Sequence, residues 1–266
     1  MNSTEAGEAW AGRTRAQWHL FLLALQFLTR LPVPRDLPWS SEAQARAGRY
    51  YPAVGLVVGG IGAGVLALGA QVWPMPLAVL LSLAATLVAT GALHEDGLAD
   101  AADGLVGGAT RTRALEIMRD SRIGTYGAVA LGMALAIKVA ALAALPLEAA
   151  CLGLIVAHAL GRGAAVAVIA TTGYARAGDA AASKFPAPVV SRRDGMVALV
   201  TLLAVLLAAG AALGMAALVG LGVAALLGLT FHRIYVAKLG GYTGDCLGGI
   251  QQLVEIGFYL GLAAWL

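Results

Sequence analysis

The sequence predicts an all-α fold: a polytopic integral membrane helix bundle with about seven transmembrane helices and an N-terminal interfacial or re-entrant helix. Hydrophobic residues make up 59% of the chain and charged residues 12%, whereas about a quarter of the residues in a soluble domain are charged. Mean hydropathy is +0.80, which excludes a disordered chain. The 35 glycines fit this class, because glycine is frequent in membrane helices and lets their backbones approach closely.

Seven apolar segments are each long enough to cross a bilayer, which takes about 20 residues of helix. A span without access to water must satisfy its own backbone hydrogen bonds, and this requirement favours helices. The segments are 52–72, 77–93, 124–145, 149–170, 196–214, 216–234 and 250–266. In the first segment, Gly60-x-x-x-Gly64 predicts a close contact between two helices.

An eighth apolar run, residues 18–31, is too short to span comfortably and contains Gln26 and Thr29. We interpret it as an interfacial or re-entrant helix. Residues 1–17 are polar and predict a disordered extension. The remaining residues, 18–266, then form a single membrane-embedded domain.

The distribution of positive charge predicts the orientation. Alternate connections contain Arg30, Arg35, Arg46 and Arg49, then Arg111, Arg113, Arg119 and Arg122, then Arg176, Lys184, Arg192 and Arg193, then Arg233 and Lys238. The other connections, around 73–76, 146–148 and 213–217, contain neither Lys nor Arg. Because positive loops stay in the cytoplasm, we expect the large loops there and the C-terminus outside. This bias accounts for the net charge of +3, and no nucleic-acid partner is expected.

An acidic segment, residues 94–104, follows the second span directly. If the chain continues there as a helix, Asp96, Asp100 and Asp103 lie within about 60° of one face. Three carboxylates on one stripe repel each other unless a cation joins them, and oxygen ligands favour Mg²⁺ or Mn²⁺. The stripe therefore predicts a divalent-cation site. The alternative is a solvated helix start whose acids favour the helix dipole.

A second polar segment, residues 116–127, places Arg119 and Arg122 about one helical turn apart. Arginines in this spacing are suited to bidentate contacts with phosphate oxygens. Asp120 is placed to complete a metal shell or to orient an arginine. The alternative is ordinary positive-inside anchoring with local ion pairs.

A third segment, residues 238–249, is a glycine-rich turn that contains Lys238 and Asp245. Exposed backbone amides in such a turn can hold anions. The segment does not match the phosphate-binding loop pattern of nucleotide hydrolases. A flexible connector is the alternative interpretation.

Two ionisable residues, Arg162 and Glu255, lie inside predicted spans. A charge near the bilayer centre costs about 2.5 to 3.5 kcal/mol on insertion scales, so we expect both to face the protein interior and to serve function. Lys138 lies near the outer end of its span, where its side chain can reach the interface, and no role is assigned to it. His158 is interpreted as a packed or hydrogen-bonded residue.

Together these motifs resemble the cobalamin synthase family, the adenosylcobinamide-GDP ribazoletransferases. The matching motifs lie at residues 27–34, 94–104, 116–125, 162–163, 174–176 and 240–248. The resemblance covers residues 18–266 with its motifs in one order. Only the polar extension lies outside it.

The resemblance implies the last step of cobalamin nucleotide-loop assembly at a bacterial inner membrane. Adenosylcobinamide-GDP and α-ribazole, or its 5′-phosphate, would give adenosylcobalamin, or its 5′-phosphate, and GMP. The ribazole hydroxyl would attack the phosphate attached to the corrinoid arm and displace GMP. The family depends on Mg²⁺, in agreement with the carboxylate stripe. The oligomeric state stays open, with a homo-oligomer among the alternatives.

Roles for individual residues complete this hypothesis. The metal ligands are Asp96, Asp100 and Asp103, supplemented by Asp120 and Asp245. The residues that neutralise the pyrophosphate and GMP are Arg119, Arg122, Arg162 and Lys238. Either His94 or Glu255 accepts the proton of the nucleophile, and their spacing does not choose between them.

Two other classes of membrane protein compete with this interpretation. Other intramembrane phosphotransferases and prenyltransferases also place aspartates on helices beside cytoplasmic loops, but their Asp-Gly-x-x-Ala-Arg and Asn-Asp-x-x-Asp patterns are absent from the sequence. A cation transporter would place ligands on several spans near the midplane. Here the acids gather at the margin of a span.

Overall fold

The computed structural model describes residues 3–176 and 190–266, with side chains from residue 14 onward. Lys184 of the orientation pattern lies outside the described residues. The α-helices are α1 (Ser3–Leu28), α2 (Ser41–Ala47), α3 (Tyr51–Gly69), α4 (Met75–Thr90), α5 (Leu93–Gly107), α6 (Arg111–Ile117), α7 (Thr125–Ala143), α8 (Leu147–Thr171), α9 (Arg192–Leu213), α10 (Met215–Leu239) and α11 (Gly244–Trp265). Within the described ranges, the β-structure is a single isolated bridge between Tyr174 and Tyr242.

The predicted helical membrane bundle is confirmed. The stretch Ser41–Gly69, which ends in α3, and the five helices α7 to α11 are long and apolar enough to cross a membrane. The remaining predicted span, 77–93, corresponds to α4, a helix of 16 residues. Among the spans, the predicted and observed boundaries differ most for α11, which begins at Gly244 and not at residue 250. The helix begins there because the Thr243 hydroxyl accepts a hydrogen bond from the backbone N–H of Cys246 and caps the helix.

The N-terminal helix is longer than the sequence indicated. Helix α1 begins at Ser3, within the segment that was predicted to be disordered, and continues without a break to Leu28. Leu20, Leu23 and Ala24 are buried on one of its faces, whereas Trp18 is 58% exposed. The boundary predicted at residue 18 therefore does not coincide with the start of helical structure.

A sharp corner separates α4 from α5. Gly91 and Ala92 have φ angles of +64° and +56°, and the two helix axes differ by 89°. A Cβ atom on Gly91 would lie 2.6 Å from Nε of Arg30, and the backbone N–H of Arg30 donates to the Ala89 carbonyl at 2.7 Å. Glycine is favoured at such a position because it adopts positive φ freely and has no side chain. The corner turns α5 away from the direction of α4.

Close helix packing occurs at glycines other than the predicted pair. A Cβ atom on Gly55 or Gly59 would lie within 2.7 Å of the backbone of α8, so these two residues make the contact of α3 with α8. Gly60 and Gly64 face open space, with no atom within 4 Å of a built Cβ. The prediction for Gly60-x-x-x-Gly64 was therefore wrong, because the contact lies on the adjacent face of the same helix.

Candidate active site

The polar motifs meet at one end of the bundle. We call this end the loop face and define it as residues 91–124, 172–176 and 239–245. Helix α5 forms the centre of the loop face and contains the acidic segment, which is helical as the spacing of its aspartates requires. Asp103, in the penultimate turn of α5, is buried. Its two carboxylate oxygens accept hydrogen bonds from the backbone N–H groups of Gly124 (2.7 Å) and Gly127 (2.9 Å). Asp103 thus holds the start of α7 against α5.

Helix α5 crosses α11 at a pair of glycines. A Cβ atom on Gly97 would lie 3.1 Å from Cα of Gly248, and one on Gly248 would lie 2.9 Å from the carbonyl oxygen of His94. Because neither glycine has a side chain, the two backbones approach closely at this point. The crossing brings the stripe residues Asp96 and Asp100 towards the start of α11.

Asp245, in the first turn of α11, completes a group of carboxylates with Asp96 and Asp100. Asp96 is exposed, and Asp100 and Asp245 are half-buried. Partial burial and the negative charges of Asp96, Asp245 and Asp103 raise the pKa of Asp100 to about 6. The structure therefore gathers the predicted acids into one region of negative potential.

The donor set of this group fits a hard divalent cation. Within residues 3–176 and 190–266, no group of three or more His, Cys, Asp or Glu side chains is arranged so that it could hold a metal ion. Mg²⁺, however, is usually held by one or two carboxylates together with water and substrate phosphates. One or two carboxylates from among Asp96, Asp100 and Asp245 would suffice for that mode of binding, whereas the oxygens of Asp103 are engaged with backbone amides.

The predicted phosphate-binding segment follows α6. Arg119 and Arg122 are exposed, as expected for groups that meet a ligand from solution. The Arg122 guanidinium donates to both oxygens of Asp120 (2.6 to 3.2 Å). These hydrogen bonds lower the pKa of Asp120 to about 2. Asp120 therefore orients an arginine, the second of the two roles considered for it.

The glycine-rich turn is joined to the segment after α8. The backbone N–H of Ala175 donates to the carbonyl of Tyr242 (2.8 Å), and that of Tyr242 donates to the carbonyl of Gly173 (2.9 Å). Arg176 consequently lies 3.5 Å from the carboxylate of Asp245. Lys238 is half-buried in the last turn of α10.

Arg111 fixes both of these segments and was not identified from the sequence as a functional residue. Its guanidinium donates to the carbonyl of Leu239 (2.8 Å) and to the carbonyl of Ala175. These carbonyls lie 128 and 64 residues away in the chain. In the sequence, Arg111 belongs to the positive-inside pattern, and no local motif distinguishes it from the other arginines of that pattern.

The two predicted intramembrane charges meet in a buried cluster inside the bundle. Glu255 is fully buried, and Arg162 is 1% exposed. The Glu255 carboxylate lies 2.6 Å from Nζ of Lys138, 2.5 Å from Nδ1 of His158 and 3.8 Å from Nη1 of Arg162. The prediction that Arg162 and Glu255 face the protein interior is confirmed.

Lys138 is a member of this cluster, and the interpretation of it as an interfacial residue was wrong. Its side chain is 2% exposed and pairs with Glu255 instead of reaching the outer surface. A lysine near the end of an apolar run has the same local sequence whether it reaches the membrane interface or pairs with a buried acid. Only the partner on α11, 117 residues later, distinguishes them.

The buried cluster connects to α5 through amide side chains. Nε2 of Gln252 donates to Glu95 Oε1 and to Gln251 Oε1, both at 2.8 Å, and Gln251 in turn donates to Glu255. His94 is also buried and lies within electrostatic range of Glu255 and Arg162. Of the two candidate proton acceptors, Glu255 therefore belongs to the buried cluster, and His94, at the start of α5, lies within electrostatic range of it.

A family model described as cobalamin-5-phosphate synthase matches residues 20–263. An adenosylcobinamide-GDP ribazoletransferase of Vibrio cholerae is 44% identical over 257 residues, which cover 95% of this chain and 96% of the relative. A relative of the same name from Leptothrix cholodnii is 46% identical over 251 residues (92% and 95%). Another from Ralstonia nicotianae is 42% identical over 262 residues (91% and 94%). No solved structure matches the chain.

The matched range includes the acidic stripe, the arginine segment, the buried cluster and the glycine-rich turn. The shares of both chains that align exclude a match confined to a few membrane helices. The chain therefore belongs to the cobalamin-5-phosphate synthase family, and it is a transferase of cobalamin synthesis.

Proposed function

We propose that this transferase joins adenosylcobinamide-GDP to α-ribazole, or to its 5′-phosphate, with release of GMP. The observation that carries the proposal is the loop face, where interacting carboxylates of α5 and α11 and the exposed arginines of the segment after α6 lie at the same end of the bundle. The names of the relatives support the choice of substrates. In the reaction, the ribazole hydroxyl oxygen forms a bond to the phosphorus attached to the corrinoid arm. The bond from that phosphorus to the oxygen of GMP breaks, and the hydroxyl proton is released.

Asp96, Asp100 and Asp245 are the proposed holders of Mg²⁺. When bound, the cation would neutralise charge on the pyrophosphate and on the departing GMP. We leave Asp103 and Asp120 out of this set, because Asp103 accepts backbone hydrogen bonds and Asp120 is engaged by Arg122. Arg176 lies 3.5 Å from the carboxylate of Asp245 and partly compensates its charge.

Arg119 and Arg122 are the proposed phosphate-binding residues at the surface, and Lys238 supplements them at the end of α10. Guanidinium groups present several N–H donors in a plane and match phosphate oxygens. Arg162 does not share this role in the proposal, because it is 1% exposed and lies beside His158 and Glu255. Its charge instead compensates buried carboxylates.

His94 is the proposed proton acceptor in preference to Glu255. Both oxygens of Glu255 are occupied, one by Lys138 and the other by His158 and Gln251. A carboxylate in this environment is a poor proton acceptor, since protonation would leave buried cations without a counter-ion. His94 lies in the same helix as the stripe and begins the segment that contains it.

We also propose that the loop face lies in the cytoplasm of a bacterial inner membrane, with the C-terminus outside. The arginines at this face support that orientation, since positive loops are retained on the cytoplasmic side. Both substrates are polar and would reach the site from the aqueous phase on that side.

The direct test supplies purified protein in detergent with adenosylcobinamide-GDP, α-ribazole and Mg²⁺ and measures GMP. We expect GMP and adenosylcobalamin to form in equal amounts. Omission of Mg²⁺ should abolish the release. Folded protein that forms neither product would reject the proposed function.

Two matched variants separate the site from general effects of charge removal. Asp100→Asn should reduce GMP release about a hundredfold, by analogy with the loss of one group that stabilises transition-state charge. Glu148→Gln makes the same acid-to-amide change at an exposed position in the first turn of α8, away from the loop face. It should retain full activity, and an equal loss in both variants would contradict the assignment.

A further inference from the structure

A cavity opens at the loop face beside the acidic stripe. Its volume is about 490 Å³, and it lies between the end of α5, the segment after α6 and the start of α7. Small-molecule sites commonly occupy about 300 to 1,000 Å³. The cavity is thus large enough for a nucleoside and is separate from the carboxylate group of Asp96, Asp100 and Asp245, none of which lines it.

One side of the cavity is apolar. Its lining includes Ile117, Ile123 and Tyr126. Ile123 is 57% exposed and Tyr126 is 51% exposed, although the surrounding loop face is rich in charged groups. A Cβ atom on Gly107 would lie 3.7 Å from two carbons of the Tyr126 ring. The glycine therefore lies against the aromatic ring, and the ring remains accessible from the cavity.

The polar side of the cavity offers few groups for recognition of a polar base. Both oxygens of Asp103 accept backbone hydrogen bonds, and both oxygens of Asp120 accept hydrogen bonds from Arg122. Guanine has adjacent N–H donors that call for an accessible carboxylate or carbonyl partner, and burying them unpaired is costly. Among the described lining residues, both carboxylates are thus already engaged, and a guanine base fits poorly.

We propose that this cavity binds a nucleoside with a flat apolar base, and that it is the site of α-ribazole. The base would lie against Tyr126 and Ile123, while the ribose would face Thr125 and Arg122 at the polar side. This inference rests on the proposed function and adds a location for the second substrate. The GDP end of the corrinoid substrate would then occupy the neighbouring region of Asp96, Asp100 and Arg119.

The test measures binding of α-ribazole alone by equilibrium dialysis against the full-length protein in detergent, without the corrinoid substrate. Tyr126→Ala should weaken binding about tenfold, since loss of one aromatic stacking contact has about that effect. Ile123→Ala should weaken binding to a similar extent, because the base loses apolar contact with the branched side chain. Tyr126→Phe keeps the ring and should bind as the wild type does. In turnover assays, the KM for α-ribazole should rise in the alanine variants while the KM for adenosylcobinamide-GDP stays unchanged.

Ile234→Ala is the matched control, because Ile234 on α10 is 52% exposed and does not line the cavity. It should leave α-ribazole binding unchanged. If Tyr126 serves instead as an aromatic anchor at the membrane interface, Tyr126→Ala should lower thermal stability without changing α-ribazole affinity, and that result would overturn the proposal. A parallel rise of both KM values would overturn it as well.

The binding measurement also separates this proposal from the proposed function. Wild-type protein that binds α-ribazole through Tyr126 but forms no GMP would reject the reaction and retain the cavity assignment. GMP formation that is insensitive to the two alanine variants would reject the cavity and retain the reaction. Comparison of α-ribazole with its 5′-phosphate identifies the preferred form, and an Arg122→Ala variant that weakens only the phosphate would place the phosphate at the polar side.

Discussion

The ammonium group of Lys138 and the carboxylate of Glu255 lie 2.6 Å apart inside the helix bundle, and both side chains are almost completely buried. His158 and Arg162 surround the same carboxylate. Removal of one member of a buried ion pair leaves a charge without compensation. The cluster therefore makes the stability of the bundle depend on contacts between α7, α8 and α11.

Glu255→Gln is expected to lower the free energy of unfolding by about 3 to 5 kcal/mol, because Lys138 loses its counter-ion. Lys138→Met should lower it less, since Glu255 keeps His158 and Arg162. The double variant should be more stable than Glu255→Gln alone. Unfolding in mixed detergent measures all three. Strictly additive losses would contradict the pairing.

Asp103→Asn is expected to destabilise the protein by about 1 to 3 kcal/mol, because an amide nitrogen cannot accept one of the two backbone hydrogen bonds and leaves that N–H unpaired. Thermal unfolding measures the effect. Asp100→Asn serves as the comparison and should unfold at or above the wild-type temperature, since it removes repulsion. The opposite order would contradict the division of the stripe into a structural acid, Asp103, and two candidate metal ligands, Asp96 and Asp100.

The stabilising effect of Mg²⁺ should depend on pH. The pKa of Asp100 is about 6, above its ordinary value of 3.8, so the folded state favours the protonated form. Without a divalent cation, the contribution of Asp100 to the free energy of unfolding falls as the pH rises from about 4 to about 6, because the carboxyl group then ionises beside other acids. Above that range the contribution stays low. A bound cation relieves the repulsion. Mg²⁺ should therefore raise the unfolding temperature more at about pH 7.5 than at about pH 5, and Asp100→Asn should weaken this dependence.

Gly248→Ala should disturb the crossing of α5 and α11. The added methyl group would lie 2.9 Å from the carbonyl oxygen of His94, and overpacking of this kind costs about 1 to 3 kcal/mol. GMP release should fall as the acids of α5 move relative to Asp245. Gly60→Ala adds the same methyl group in open space, and it should lower neither the unfolding temperature nor the activity.

Arg111→Ala should impair activity indirectly, because Arg111 positions other residues of the loop face and has no proposed contact with the substrate. Loss of its two hydrogen bonds releases the carbonyls of Ala175 and Leu239, and Asp245 and Arg176 are then held less firmly. We expect a rise in the Mg²⁺ concentration for half-maximal GMP release. Arg113→Ala is the control, because Arg113 on the same helix pairs with the exposed Glu116. Equal effects in both variants would indicate a general requirement for positive charge.

Local patterns in the sequence predicted the spans and the acidic helix, because hydropathy and helical spacing are properties of neighbouring residues. The same patterns do not distinguish Asp103 from Asp100, since the two groups that engage Asp103 lie 21 and 24 residues further along the chain. Nor do local patterns distinguish Gly60 and Gly64, which face open space, from Gly55 and Gly59, which contact α8. The face of α3 that meets α8 is determined by the packed bundle.

The right-angled corner at Gly91 and Ala92 also has a consequence for biosynthesis. Because α5 leaves the direction of α4, α3 and α4 can enter the bilayer as an ordinary two-helix hairpin, without transfer of the acids into hydrocarbon. Helix α5 then packs against α6 and α7 first, and it lacks its contact with α11 until that helix, the last described one, has been made. The acidic region is therefore completed late, and a growing chain has no assembled site during most of its synthesis.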